Sequence, residues 1–170
     1  MKYNLAQPGT LTTLSDEVEN LKNYIRIQKF RYGDTFEFST QLDPETCDCE
    51  ILRFVLQPLV ENCILHAFED MEDKGFIKIL SFIENDKLHI EVIDNGSGMD
   101  LATVYTLNQS DSNKGKRFNT IGIHNIKERI RLQYGEGYGL YYISEPGIGT
   151  IAEMVLPVIK KKDVPAIQPV

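Results

Sequence analysis

The chain has 170 residues, 18 basic and 25 acidic, for a formal net charge of −7, so it lacks the basic surplus with which a nucleic-acid-binding domain meets phosphate. That length accommodates one domain with a full core and a short appendage, and 42% hydrophobic with 25% charged residues is ordinary for a soluble folded protein. No apolar run approaches the roughly 20 residues that span a bilayer, and Met1-Lys2-Tyr3-Asn4 does not open a signal peptide.

Residues 1–13 are polar and turn-rich and read as a loop or a cut end. Leu14, Val18, Leu21 and Ile25 recur at four-three-four spacing, which predicts a helix over about 14–30 with one apolar stripe. Thr13 with Asp16 is its expected capping pair. Phe36, Phe38, Thr40 and Leu42 alternate with polar residues and predict a strand that Asp43-Pro44 closes. A second helix is expected over about 52–68, with Pro58 in its early turns, where a helix tolerates it. Strands over 76–83 and 88–93 form an expected hairpin through Glu84-Asn85-Asp86-Lys87.

Residues 100–119 are small and polar and read as a mobile lid with a short helix near 101–107. A third helix is expected from Gly122 to Tyr134, then strands over 140–143 and 150–156 joined by Glu145-Pro146-Gly147-Ile148-Gly149. This order predicts an α+β fold, a two-layer sandwich of a mixed β-sheet covered on one face by helices. The expected organisation is a linker helix region over 1–33, one domain over 34–158, and a disordered tail over 159–170. Cys47, Cys49 and Cys63 lack a paired framework and predict reduced cytoplasmic thiols. No second Cys/His pair matches Cys47 and Cys49 for a closed zinc site.

Three segments carry chemistry. In Leu56-Gln57-Pro58-Leu59-Val60-Glu61-Asn62-Cys63-Ile64-Leu65-His66-Ala67-Phe68, Asn62 stands in an otherwise apolar helix. Its amide oxygen is a hard ligand suited to Mg²⁺ on nucleotide phosphates; a bond to its own helix backbone is the plainer account. His66 lies one turn on, able to meet a phosphate or simply solvated. Asp94 ends a strand before Asn95-Gly96-Ser97-Gly98-Met99. A buried carboxylate there accepts from the exocyclic amine of adenine, which guanine does not offer at that position. Gly96 and Gly98 allow positive φ and close backbone approach, although a tight Asn-Gly turn accounts for the same residues. Thr120-Ile121-Gly122-Ile123-His124-Asn125 opens a helix whose first N–H groups can meet phosphate, or are merely capped. Lys114, Lys116 and Arg117 precede it as loop cations. Thr150, after Gly149, offers a hydroxyl to a base edge or its water, or simply favours a strand. No P-loop is present, and no Gly-x-Gly pair opens a strand–helix unit with the third glycine of a dinucleotide fingerprint.

In this order the segments resemble the N box and glycine boxes of GHKL ATP-binding domains. More specifically, about residues 11–157 resemble the C-terminal part of a bacterial sensor histidine kinase of the LytS/YesM type. The carriers are Leu56-Gln57-Pro58-Leu59-Val60-Glu61-Asn62 with His66, the helix Leu21-Lys22-Asn23-Tyr24-Ile25-Arg26, and Gly122-Ile123-His124-Asn125-Ile126-Lys127-Glu128-Arg129-Ile130. The resemblance implies a Bergerat-type site for ATP and Mg²⁺. Asn62 holds the metal and Asp94 selects adenine. Gly96, Gly98 and Gly122 shape the pocket, His66, Ile123 and Thr150 border the nucleotide, and residues 100–119 form the lid.

Such domains pass the γ-phosphate to a histidine on a separate dimerisation helix, from which a response regulator takes it. His66, His89 and His124 do not sit in the family's acceptor setting. A fragment is therefore expected: monomeric and cytoplasmic, from a homodimeric inner-membrane sensor with the acceptor helix upstream and no nucleic-acid partner. Pro58 stands where water-activating relatives carry a general-base Glu, and Glu61 projects about 100° from Asn62 around the helix, which suits a kinase better than an ATPase. A serine kinase of the anti-sigma-factor type shares the fold but not the wording of the N box. The alternative is a degenerate GHKL signalling module, because Thr120 replaces the usual first glycine of the second glycine box and Leu65 a phosphate-contacting lysine.

Overall fold

The computed structural model of the chain, which describes residues 11–69, 72–109 and 120–161, builds the alternating segments into a five-stranded mixed sheet. In chain order the elements are β1 (Leu11–Thr13), α1 (Leu14–Tyr32), β2 (Phe36–Leu42), β3 (Glu50–Leu52), α2 (Leu56–Asn62) continuing as a π turn over Cys63–Ala67, β4 (Gly75–Glu84), β5 (Lys87–Asp94), α3 (Leu101–Asn108), α4 (Thr120–Tyr134), β6 (Gly139–Glu145) and β7 (Gly149–Pro157). The sheet order is β2-β4-β5-β7-β6. Only β2 and β4 pair in parallel; every other neighbour is antiparallel. No helix among the described residues is long and apolar enough to cross a membrane.

The period-2 pattern of the strands sends Ile77, Ile79, Leu88, Ile90 and Val92 to one face, where they are fully buried. Onto that face pack the apolar stripes of α1 (Leu14, Val18, Leu21, Ile25), α2 (Leu56, Leu59, Val60) and α4 (Ile123, Ile126, Ile130). Each such side chain contributes about 1.5–3 kcal/mol by leaving water. The opposite face is open: Phe76, Tyr141 and Ile143 are exposed there. The α+β sandwich with helices on one face is therefore the observed fold.

Local rules account for most boundaries. Thr13 caps α1, its hydroxyl accepting from the Asp16 N–H at 3.1 Å. Asn85 (φ 50°) and Asp86 (φ 60°) form the two-residue turn of the β4–β5 hairpin. Three stretches differ from expectation. Leu11–Thr13, expected as loop, pairs antiparallel with β3, whose last residue, Leu52, was expected to begin a helix. The helix expected over 52–68 begins instead at Leu56, after Phe54 turns at φ 57°. Ile159 and Lys161, expected in the tail, are tied to β3 and its lead-in: the Glu50 N–H donates to the Ile159 carbonyl at 2.7 Å and the Lys161 N–H to the Asp48 carbonyl at 3.2 Å. The rest of that tail, 162–170, and the lid cations Lys114, Lys116 and Arg117 lie outside the described residues.

Candidate functional site

One cavity of about 250 Å³ lies between α2, the sheet and α4. Six of the residues singled out in the sequence line it: Asn62 and His66 from the α2–π turn, Asp94 from the end of β5, Gly98 from the following loop, Ile123 from α4 and Thr150 from β7. Leu59, Cys63, Val92, Met99, Leu107, Tyr142 and Ala152 complete an apolar lining. The helical face Leu59, Asn62, Cys63, His66, Ala67 is continuous because three- and four-residue steps share one side. The last of these steps falls in a π turn, a distortion that recurs at functional sites. Asn62 is half-buried, and its side chain makes no hydrogen bond to a described residue, so the plainer account of a backbone-bonded amide does not hold.

Asp94 is 7% exposed at the cavity floor. Its Oδ1 accepts from the Gly96 N–H at 2.8 Å and its Oδ2 from the Cys63 thiol at 3.3 Å. Burial pushes its pKa above the ordinary carboxylate value, against the lowering pull of the Gly96 N–H, the Cys63 thiol and the Thr150 N–H. The Cys63 thiol is itself pushed up by burial and by Asp94, so it stays protonated as a donor. Beside it, Ser144 Oγ lies 2.8 Å from the Gly149 carbonyl, 2.9 Å from Thr150 Oγ1 and 2.8 Å from the Met99 N–H. With its one proton on Gly149, Ser144 accepts from Thr150, which leaves the Thr150 lone pairs to the cavity.

Gly96 and Gly122 are singled-out residues that do not line the cavity. Gly96 does not adopt positive φ; a Cβ there would stand 2.3 Å from Ala67 Cβ and 2.6 Å from the Ala67 carbonyl oxygen. Its missing side chain lets the loop lie against the end of the π turn, where the Ser97 N–H donates to Ala67 at 2.9 Å. Gly98 has φ 68°, and a Cβ there would meet the Glu145 carbonyl oxygen at 2.0 Å. The loop is thus clasped between the π turn and the β6–β7 turn. At Gly122 a Cβ would meet, among the described residues, only Pro58, at 3.9 Å, so no described neighbour requires glycine there. Leu65 is 47% exposed and outside the lining, and Glu61 turns away to accept from Gln57 at 3.0 Å.

A buried carboxylate at a strand end thus faces an asparagine-bearing helix across an apolar cavity. Residues 47–160 match the family described as histidine kinase-, DNA gyrase B-, and HSP90-like ATPase. The chain belongs to that family. Residues 1–36 match a further family, histidine kinase.

Among curated relatives of this ATPase-family chain, sensor histidine kinase YesM of Bacillus subtilis (strain 168) is 35% identical over 157 residues, 92% of this chain and 26% of that protein. Sensor histidine kinase YpdA of Escherichia coli (strain K12) is 31% identical over 148 residues, 86% of this chain and 25% of that protein. The chain thus spans about a quarter of the length of the curated relatives it matches. Among solved structures, the catalytic domain of histidine kinase ThkA aligns with a TM-score of 0.66 at 15% identity, covering 93% of this chain and 99% of that one. The histidine kinase domain of the Erythrobacter litoralis EL346 blue-light activated histidine kinase aligns at 0.59 and 15%, covering 90% and 70%. These two likenesses are of fold.

Several residues that shape this ATPase-family site were not legible beforehand. Glu17 of α1, 3% exposed, accepts from the N–H groups of Phe54 (3.1 Å), Val55 (2.9 Å) and Leu56 (3.3 Å), so it caps α2 from another helix. Arg129 of α4 donates to the carbonyls of Arg53 (2.6 Å) and Phe54 (3.5 Å) on the same turn. Asn108 of α3 exchanges two hydrogen bonds with the Tyr142 backbone, at 2.7 and 2.9 Å, pinning α3 to the edge strand β6. Lys127 of α4 donates to the Leu107 carbonyl, the last turn of α3. A charged residue beside the apolar stripe at Glu17 was the only signal, and it pointed to no partner.

Proposed function

We propose that this chain is the ATP-binding catalytic domain of a sensor histidine kinase, and that the parent protein transfers the γ-phosphate of ATP to a histidine on a dimerisation helix. The observation that carries this reading is Asp94: an acceptor-only carboxylate on an apolar floor, with its Oδ1 and Oδ2 already oriented by Gly96 and Cys63. Such a group selects a base with an exocyclic amine. Thr150 borders the same edge, and Gly98 and Ile123 contribute walls. Gly96 serves by letting the loop pack, and Gly122 by leaving the backbone at the start of α4 open to phosphate.

Among the described residues no cluster of three His, Cys, Asp or Glu offers a closed metal site. The half-buried, unbonded Asn62 amide fits Mg²⁺ instead, an ion that takes few protein ligands and keeps phosphates and water. When bound, the ion neutralises charge on the triphosphate. His66, at the cavity mouth, borders the phosphates. Among the described residues the cavity's one lining carboxylate is Asp94, and Pro58 and Glu61 are both outside the lining, so in this reading the domain holds and orients ATP rather than hydrolysing it.

In this reading the parent is a homodimeric membrane sensor with its catalytic domain in the cytoplasm. A response regulator receives the phosphate on Asp, and this chain alone is monomeric. Titration calorimetry with ATP, with and without Mg²⁺, tests the reading on the wild type and on Asp94→Asn. Binding at micromolar ATP that the substitution abolishes supports it. No binding at millimolar ATP refutes it in favour of a degenerate signalling module, for which Thr120 and Leu65 are the sequence marks.

A further inference from the structure

Asp94, Thr150 and Ser144 form one row across β5, β7 and β6: Thr150 pairs with Asp94 on one side and with Ser144 on the other. Their side chains therefore stand next to one another on the helix-covered face. Asp94 and Thr150 line the cavity, and Ser144 stands behind Thr150, outside the lining. Each bond of the Ser144 hydroxyl has a fixed direction. The Met99 N–H can only donate to Oγ, at 2.8 Å, and the Gly149 carbonyl can only accept from it, at 2.8 Å. The one Ser144 proton is thereby committed, and its second lone pair is left for Thr150 Oγ1 at 2.9 Å. The Thr150 proton consequently points at Ser144. A free threonine hydroxyl both donates and accepts; this one turns only lone pairs to the cavity, beside a carboxylate that also only accepts.

We propose that Ser144 is a positioning residue for base selection: by holding the Thr150 proton it makes Thr150 an acceptor, so that the cavity takes a purine with an exocyclic amine and rejects one with a carbonyl in its place. This rests on the nucleotide reading above and concerns how that site chooses its base. An exocyclic amine brings two N–H donors, which the neighbouring acceptors Asp94 and Thr150 can share. A base with the carbonyl brings a ring N–H beside it. Asp94 can take that N–H, but the carbonyl then meets the Thr150 lone pairs. Two acceptors face each other, and such an unmet pair penalises the wrong base. Without the Ser144 hydroxyl, Thr150 turns freely and can donate to the carbonyl.

The test is titration calorimetry with ATP and with inosine 5′-triphosphate, whose base carries the carbonyl and ring N–H in place of the amine. Ser144→Ala is expected to bind ATP within about threefold of wild type and inosine triphosphate about five- to tenfold more tightly, because a hydrogen bond replaces a repulsive contact. Thr150→Val, which removes the lone pairs facing the carbonyl, is expected to narrow the same preference, and adding Ser144→Ala to it changes the ratio of the two affinities no further. A gain for the wrong base is a result that mere loosening of the β6–β7 turn does not give. Equal losses with both nucleotides in Ser144→Ala, a ratio within about twofold of wild type in either single variant, or a Ser144→Ala effect that persists without the Thr150 hydroxyl overturns the positioning role and leaves the nucleotide reading standing. Absence of ATP binding by the wild type overturns both.

Discussion

Replacing Glu17 with Gln tests whether α1 holds the start of α2. The carboxylate is 3% exposed and accepts three backbone N–H bonds of 2.9–3.3 Å from Phe54, Val55 and Leu56. Glutamine keeps one oxygen, enough for the shared bonds of Val55 and Leu56, but turns its NH₂ toward the Phe54 N–H. One buried donor is left facing another, at about 1–3 kcal/mol, and the remaining bonds lose their charge assistance. Relief of burying a charge offsets part of this, for a net loss of about 2 kcal/mol. At about 2–4 °C per kcal/mol for a domain of this size, the melting temperature falls by about 4–8 °C. Glu17→Ala, which strands all three donors, falls further. Differential scanning calorimetry at neutral pH reads both. A Glu17→Gln variant melting within about 1 °C of wild type would refute the clamp, because substitutions at groups without such bonds stay within about 0.5 kcal/mol.

Two glycines separate packing from ligand access. Gly96→Ala drives a Cβ to 2.3 Å from Ala67 and is expected to cost about 1–3 kcal/mol in urea unfolding. Gly122→Ala meets, among the described residues, only Pro58 at 3.9 Å and is expected to fold as well as wild type or better by about 0.5–1 kcal/mol, yet to bind ATP more weakly; unchanged affinity would remove Gly122 from the phosphate path. Because burial raises the Asp94 pKa, the native state favours its protonated form. Wild type therefore loses stability relative to Asp94→Asn as pH rises from the ordinary carboxylate range through the raised value, and the gap is flat above it. Parallel melts from pH 3 to 8 check the sign, and a gap that closes as pH rises contradicts it. Asn108→Ala removes both bonds to the Tyr142 backbone, so amide exchange over 101–108 is expected to accelerate while the β4 and β5 amides stay protected.

The legible parts were those whose causes are local. The four-three-four stripe of α1, the alternation of β2, the Asn85-Asp86 turn and the Thr13 cap each depend on residues within one or two turns, and each forms as read. Asn62, Asp94 and Thr150 were also visible, because residues of that chemistry stand out against apolar neighbours, and they line one cavity. Short pairings were not visible: β1 and β3 are three residues each, too brief for a period, and exist only by pairing with each other. The start of α2 moved to Leu56 because Glu17 and Arg129, from two other helices, hold the turn at Phe54. Gly96, read as allowing positive φ and close backbone approach to a ligand, proved to be a close contact with Ala67 without positive φ. What the chain alone determined was its periods, its turns and the residue types able to hold a nucleotide, since each arises between near neighbours. Tertiary structure alone decided which of those residues share a cavity and what caps α2, because those contacts join residues dozens of positions apart and come into being only when the helices close on the sheet.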